Sequence, residues 1–175
     1  MTDIAIGGAK RARRGYSFDE VAIVPSRRTR DPQAVSTTWT IDAYRLDTPI
    51  LAAPMDSVVS PRTAVTLAGL GVLAVLNLEG LWGRYEDPEP LLQEISRLDP
   101  AAVTPRMQEL YSAKPVDADL VVARIAELKA AGVTVAVATS PQGAARLAPL
   151  ASSTGADLFV IRGTTVSAEH VSSTE

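Results

Sequence analysis

Short, wholly apolar runs alternate along this chain with longer amphipathic stretches, the pattern of buried parallel strands joined by helices. Pro49-Ile50-Leu51 runs into small residues, Ala52-Ala53-Pro54, and then the polar turn Met55-Asp56-Ser57. Gly71-Val72-Leu73-Ala74-Val75-Leu76 is followed in the same way by Asn77-Leu78-Glu79-Gly80. Strands are therefore expected at 50–53 and 72–76, and again at 133–138 and 158–161, each ending in a polar turn.

The helices between them carry their own punctuation. Ser60-Pro61 pairs an N-cap with a proline at the first helical position, and Val65, Leu67, Ala68 and Leu70 supply an apolar stripe that Gly69 and Gly71 bring to an end. Asp117 to Ala131 reads as a helix burying Leu120, Val121, Ile125 and Leu128, stopped by Gly132. Ser140-Pro141 opens another, to about Ser152. Arg162-Gly163-Thr164-Thr165 is the loop after the fourth strand, and Ser167 caps a last helix within which the alternation stops. Between the second strand and the 117–131 helix lies a mostly polar excursion, residues 84–119. It holds one helix from Asp87-Pro88 through Leu98, with Leu91, Leu92, Ile95 and Leu98 as its apolar positions, and a second from Asp99-Pro100 to about Tyr111. This excursion is expected on the surface.

Before the first core strand, residues 1–15 read as an irregular arm. Val21 to Val24 is strand-like and stopped by Pro25, and Thr37 to Ile41 alternates like a half-exposed strand. The expected organisation is an N-terminal arm with short strands over 1–48, and an α/β unit of four parallel strands with helical crossovers over 49–175. A complete (β/α)₈ barrel takes about 250 residues, so the unit reads as the N-terminal half of a TIM barrel. A doubly wound, flavodoxin-like sheet is the alternative, but no glycine-rich phosphate loop follows the first strand.

Composition narrows the function. The 175 residues are 46% hydrophobic and 21% charged, an ordinary globular balance, and aromatics at 5% leave Ala, Val and Leu to pack the core. A net charge of −3 gives no general reason to bind nucleic acid. The first thirty residues are locally basic (Lys10, Arg11, Arg13, Arg14, Arg27, Arg28 and Arg30 against Asp3, Asp19 and Glu20), but no aromatic stacking pattern accompanies them. They read as a solvated arm. No segment has the ~20 apolar residues of a membrane span, and no signal sequence opens the chain, so a cytoplasmic location is expected. The chain has no cysteine, which removes disulfides, thiolate metal sites and thiol nucleophiles. His170, the single histidine, lies in the first turn of the terminal helix, where a solvent-facing residue is a better reading than a catalytic base.

Three segments, taken in order, resemble the N-terminal half of the IMP dehydrogenase/GMP reductase family: Tyr16-Ser-Phe-Asp-Glu-Val-Ala-Ile-Val-Pro25, Pro49-Ile-Leu-Ala-Ala-Pro-Met-Asp-Ser-Val58, and Leu70-Gly-Val-Leu-Ala-Val75. The resemblance implies a (β/α)₈ barrel, usually a homotetramer, in which a purine mononucleotide and NAD or NADP meet at the C-terminal ends of the strands. It also admits a monovalent cation, whose site would lie outside this chain. Family dehydrogenases insert paired CBS domains after the second strand; here residues 81–116 are too few for them, which slightly favours a GMP reductase-like, CBS-lacking branch. The family's cysteine, which attacks C2 of the purine before hydride transfer, is not in these residues. The chain therefore reads as a truncated fragment, inactive alone, with a non-catalytic nucleotide-binding or subunit-pairing half-barrel as the alternative.

By the same resemblance Met55 sits against the purine ring, with core filling beneath the strand ends as the alternative. Asp56 and Ser57, in the turn after the first strand, are placed to hydrogen-bond a substrate or to serve the turn and cap. Asn77 and Glu79 end the second strand, where the family commonly has His-Lys, and point to the same face, with plain loop polarity as the alternative. Arg162, Gly163 and Thr164 stand where the family has Asp-[Ser/Thr]-Ala-His beside the nicotinamide ribose. An arginine cannot accept hydrogen bonds from ribose hydroxyls, but it suits a phosphate such as that of NADP. Thr164, Thr165 and Ser167 form a hydroxyl set at a helix start, and Trp82 is expected to pack on a neighbouring loop or subunit.

Overall fold

A computed structural model describes residues 4–6, 10–12, 15–25 and 28–163. The chain divides into two compact units, Met1–Ser36 and Thr37–Glu175.

In the first unit, β1 (Ile4–Ile6) pairs antiparallel with β2 (Lys10–Ala12). A 3₁₀ turn at Phe18–Glu20 is closed by the Glu20 carboxylate accepting from the Ser17 N–H at 2.9 Å. Val21 to Val24, read from the sequence as strand-like, form no strand. Consecutive apolar residues give β propensity, but a strand also needs a ladder partner, and none is provided here among the described residues.

The second unit begins with a hairpin, β3 (Trp39–Ile41) and β4 (Tyr44–Leu46). Four parallel strands follow in the order β5 (Leu51–Ala52), β6 (Leu73–Asn77), β7 (Ala136–Thr139) and β8 (Leu158–Ile161). The connections are α1 (Pro61–Gly69), the pair α2 (Glu89–Ile95) and α3 (Pro100–Ala113) with α4 (Ala118–Ala130), and α5 (Pro141–Thr154). Spatial order equal to chain order, with a helix in every crossover, is the first half of a (β/α)₈ barrel. β8 spans the expected residues and β6 is shifted by one, whereas β5 and β7 are shorter than their apolar runs. β7 begins at Ala136 rather than Val133 because a run records burial, while a ladder records pairing.

Burial follows the strict alternation of strand side chains. Ala74, Leu76, Val135, Val137 and Phe159 pack outward with Val121, Ile125, Leu128 and Leu147 of the helices. Leu73, Val75, Ala136, Ala138 and Leu158 face the other way, against Leu46, Trp39 and Ile41 of the hairpin. Trp39 Nε1 donates to the Thr48 carbonyl at 2.6 Å, and Tyr44 Oη donates to Asp157 Oδ1 at 3.2 Å, which secures the hairpin across this inner face. Fully burying one of these aliphatic side chains stabilises by about 1.5–3 kcal/mol, so the two clusters dominate the stability.

Four helix caps agree with the sequence; the helix read from Asp87-Pro88 through Leu98 is instead α2, ending at Ile95, with Pro88 as its N-cap and no side-chain cap. Ser60, Asp99, Asp117 and Ser140 each accept a backbone N–H in the first turn of the following helix. Gly155 ends α5 at φ +92°, a conformation strained for residues with a Cβ. Among the described residues no helix is long and apolar enough to cross a membrane.

Candidate functional site

The alternation that packs the core also aims the site. Asn77 shares the parity of Leu73 and Val75 and so turns inward at the C-terminal end of β6. Arg162, one residue past β8, shares the inward parity of Leu158 and Val160. β7 runs between them and presents only Ala136 and Ala138 on that face. With no bulky side chain in the way, the Arg162 guanidinium reaches across and donates to Asn77 Oδ1 at 2.9 Å. A second donor, Nη1, reaches the Pro54 carbonyl at 3.4 Å beyond β5. Arg162 thus draws together the ends of three strands.

These groups line a cavity of about 310 Å³ with Pro54, Met55, Asp56, Ser57 and Tyr111, closed on the other side by Leu92, Ile95, Val103 and Met107. Five residues singled out from sequence, Met55, Asp56, Ser57, Asn77 and Arg162, meet in this one space. Gly163 is exposed and does not line it, and Thr164, Thr165, Ser167 and His170 lie outside the described residues.

Asp56 is the best anchored of the five. Its Oδ2 accepts from the Leu81 backbone N–H at 2.9 Å and from the Tyr111 hydroxyl at 2.8 Å. Its Oδ1 is buried without a partner, against Gly80, where a Cβ would lie 1.9 Å away. Tyr111 is pushed well above the usual phenol range, first by burial and then by the Asp56 charge beside it, so its hydroxyl stays a donor.

Glu79 does not join Asn77 in the cavity. Its carboxylate accepts from the Ser140 hydroxyl at 2.9 Å and from the Ser140 backbone N–H, at the start of α5. Burial pushes its pKa up. The two Ser140 donors and the Arg162 charge outweigh that, and the net position is below the ordinary glutamate value. Sequence parity alone could not place it, because the strand ends at Asn77 and the chain turns. Trp82 is likewise internal: it is 8% exposed, packs in the outer core cluster and lies under the Arg124 guanidinium at 5.3 Å.

The excursion contributes where sequence reading placed only surface. Leu110 is buried, and the end of α3 is fastened by Tyr85 Oη donating to the Leu110 carbonyl at 2.8 Å and by Arg84 donating to the Tyr111 carbonyl at 2.9 Å. Tyr111 was missed as a site residue. The available signal was the spacing Val103, Met107, Leu110, Tyr111, one apolar face on an otherwise polar helix.

Chemically, the cavity pairs an apolar wall with a polar one. Arg162 uses two of its five N–H donors on Asn77 and Pro54, leaving others for an anion. Asn77 Oδ1 is occupied by Arg162 and by the Glu79 N–H at 3.2 Å, so its amide hydrogens remain for a ligand acceptor.

The family model for the IMP dehydrogenase / GMP reductase domain matches residues 15–172. The chain belongs to that family. It is 45% identical over 175 residues to an uncharacterized oxidoreductase of Mycolicibacterium smegmatis, covering 97% of this chain and 46% of that protein. An uncharacterized oxidoreductase of Mycobacterium tuberculosis H37Rv is 47% identical over 177 residues with the same coverage. An inosine-5'-monophosphate dehydrogenase of Methanocaldococcus jannaschii is 33% identical over 66 residues, 38% of this chain and 13% of that one. Among solved structures, an IMP dehydrogenase/GMP reductase-like protein from Corynebacterium glutamicum superposes with a TM-score of 0.81 at 43% identity, covering 97% of this chain and 46% of that chain. The chain spans about half the length of the curated relatives it resembles most fully.

Proposed function

We propose that this chain supplies the first four strands, and part of the nucleotide pocket, of an oxidoreductase that moves hydride between C2 of a purine mononucleotide and NAD or NADP. The observation that carries the reading is the convergence of Met55, Asp56, Ser57, Asn77 and Arg162 on one cavity at the C-terminal ends of parallel strands, where barrels of this kind keep their chemistry. GMP reduction is favoured over IMP oxidation, because residues 81–116 form α2 and α3 and leave no room for a CBS pair.

In this reading Met55 offers a soft apolar contact to the purine ring and Ser57 and Asn77 offer hydrogen bonds, while Asp56, engaged with Leu81 and Tyr111, fixes the turn that carries Met55 and Ser57. Arg162 fits a dinucleotide through its free donors, which suit a phosphate; Gly163 and Thr164, next to it in sequence, are assigned to the same cofactor by family likeness alone. The dinucleotide, when bound, is the hydride donor or acceptor. The covalent step needs a thiolate, and the 175 residues contain no cysteine, so the nucleophile comes from residues outside them. A monovalent cation, where one is used, is held outside them too. The work assigned here is binding and orientation. The same reading carries, by family likeness alone, a cytoplasmic homo-oligomer, a tetramer.

Calorimetric titration of the protein with GMP, IMP and NADPH tests the reading. Binding weakened at least tenfold by Arg162→Ala supports it, and absence of binding by any of the three overturns it. The 175-residue chain is expected to show no change in absorbance at 340 nm with GMP and NADPH. Turnover there would remove the claim that the nucleophile lies elsewhere.

A second reading, a non-catalytic half-barrel that pairs with another subunit, is favoured by one observation. Ile50, Leu51, Val160 and Ile161, at the two outer strands, are 55%, 52%, 38% and 57% exposed. Unpaired sheet edges with apolar side chains favour association. A concentration-independent monomer in analytical ultracentrifugation would eliminate it.

A further inference from the structure

The cavity's outer wall is built differently from its floor. α2 buries no residue, and α3 buries only Leu110, near its C-terminal end. That end is fastened by Tyr111 to Asp56, by Tyr85 to Leu110 and by Arg84 to the Tyr111 carbonyl. Among the described residues, no hydrogen bond joins residues 89–109 to the strands. Instead Arg106 grips Glu94 at 2.7 and 3.2 Å and Glu109 at 2.7 Å, tying α2 and α3 to each other. Pro105 lies inside α3 and gives no N–H to the helix ladder, a soft point next to Val103 and Met107.

The faces turned to the cavity are Leu92 and Ile95 from α2 and Val103 and Met107 from α3, four half-buried apolar side chains. A pair of otherwise polar helices that leaves its apolar stripe half-exposed over a pocket has not completed its burial. Across from it stand Met55, 53% exposed, and the polar groups of Asn77 and Arg162. A ligand complementary to these two walls has one flat apolar face and an anionic or hydrogen-bonding remainder, which describes a heteroaromatic base carried on a phosphorylated sugar.

We propose that α2 and α3 form a base-reading cap, in which Val103 and Met107 pack on the ring of the bound nucleotide and the Tyr111–Asp56 bond positions them. This rests on the nucleotide-binding function proposed above and adds a division of labour: the strand ends hold the polar part, the cap discriminates the ring. Tyr111 acts through α3 and is a positioning residue. Loss of its hydroxyl alone, in Tyr111→Phe, should release the cap while keeping the ring that lines the cavity.

The division is tested by comparing GMP and IMP with ribose 5-phosphate, which keeps the sugar and phosphate but has no ring. Met107→Ala and Val103→Ala are expected to weaken GMP and IMP binding by about three- to tenfold each, from lost apolar contact, and to leave ribose 5-phosphate within about twofold. Tyr111→Phe should act in the same direction on the base-bearing ligands only, and should speed amide hydrogen exchange over residues 100–107 in the free protein. GMP should slow exchange over 89–107 in the wild type. Both alanine sites are half-exposed, and a melting curve for each verifies the fold. Equal losses for ribose 5-phosphate and GMP would overturn the cap's role, as would unchanged GMP affinity in both variants while Arg162→Ala still weakens it. No binding of any nucleotide by the wild type would overturn the parent function instead, and the cap with it.

Discussion

The Glu79 carboxylate sits on the first turn of α5, holding both the backbone N–H and the hydroxyl of Ser140, with its Oε1 at 2.9 Å from the Ser140 Oγ. One side chain thereby joins the turn after β6 to the turn after β7. It does so at a helix N-terminus, where a negative charge is favoured. The same Ser140 Oγ accepts from the Gly143 N–H at 3.1 Å, so cap and carboxylate form one relay.

Removing that charge should cost stability. Glu79→Gln keeps the shape but turns an amide donor toward Ser140, at an expected cost of about 1–2 kcal/mol measured by urea unfolding near neutral pH. The pH dependence has a definite sign. The folded-state pKa of Glu79 lies below its unfolded value, so its contribution is present in full above the ordinary glutamate pKa of about 4.3 and is lost as pH falls through the folded-state value. The difference between wild type and Glu79→Gln should accordingly shrink toward acid. A difference that grows on acidification would refute the assignment.

Gly143→Ala sets two effects against each other. Alanine is the better helix former by about 1 kcal/mol. A Cβ at 143, however, would lie 2.4 Å from both Glu79 Oε1 and Thr139 Oγ1. Crowding on this scale costs about 1–3 kcal/mol and displaces the carboxylate, so a net loss is expected. A variant as stable as wild type in thermal melting would show that the α5 turn is looser than its geometry.

Tyr111→Phe removes the hydroxyl from Asp56 and leaves that carboxylate with the Leu81 N–H as its remaining bond. Because Asp56 Oδ1 already lacks a partner, little can compensate, and a loss of about 1–2 kcal/mol is expected. Tyr111→Leu should cost more, since it also removes the ring beneath the Arg84 guanidinium at 5.0 Å.

At the other end of the sheet, Asp157 accepts from the Val135 N–H at 2.8 Å, from Tyr44 Oη, and from Lys129 Nζ at 3.1 Å. Burial raises its pKa, the Val135 and Lys129 bonds lower it by more, and the balance is below the ordinary aspartate value. Lys129→Met breaks only the outermost of these contacts, on a side chain 42% exposed, and should cost less than 1 kcal/mol. Asp157→Ala strips the Val135 N–H and Tyr44 together and should cost about 2–3 kcal/mol. If the two variants are equally stable in denaturant titration, the ion pair matters more than the strand cap.

Much of this was legible along the chain. Four apolar runs, each closed by a polar turn, give four strands, and Ser-Pro and Asp-Pro pairs mark the starts of α1, α3 and α5. The Met55-Asp56-Ser57 turn and the Arg162 position could be singled out because a strand's end is visible in its composition. What stayed hidden required a partner distant in sequence. Val21 to Val24 look like a strand until one asks what they pair with. Glu79 resembles a pocket residue until Ser140, sixty-one positions on, is brought to it.

The amino-acid sequence by itself determined the α/β alternation, the helix caps, the family and the absence of a thiol, since each depends on local chemistry or short-range periodicity. Tertiary structure alone decided that Arg162 spans β7 to reach Asn77, that Tyr111 closes on Asp56, and that Glu79 belongs to α5 rather than to the cavity. The reason is geometric: side-chain parity is set within a strand, but which inward-facing groups meet depends on strand order and on the alanines that leave space between them.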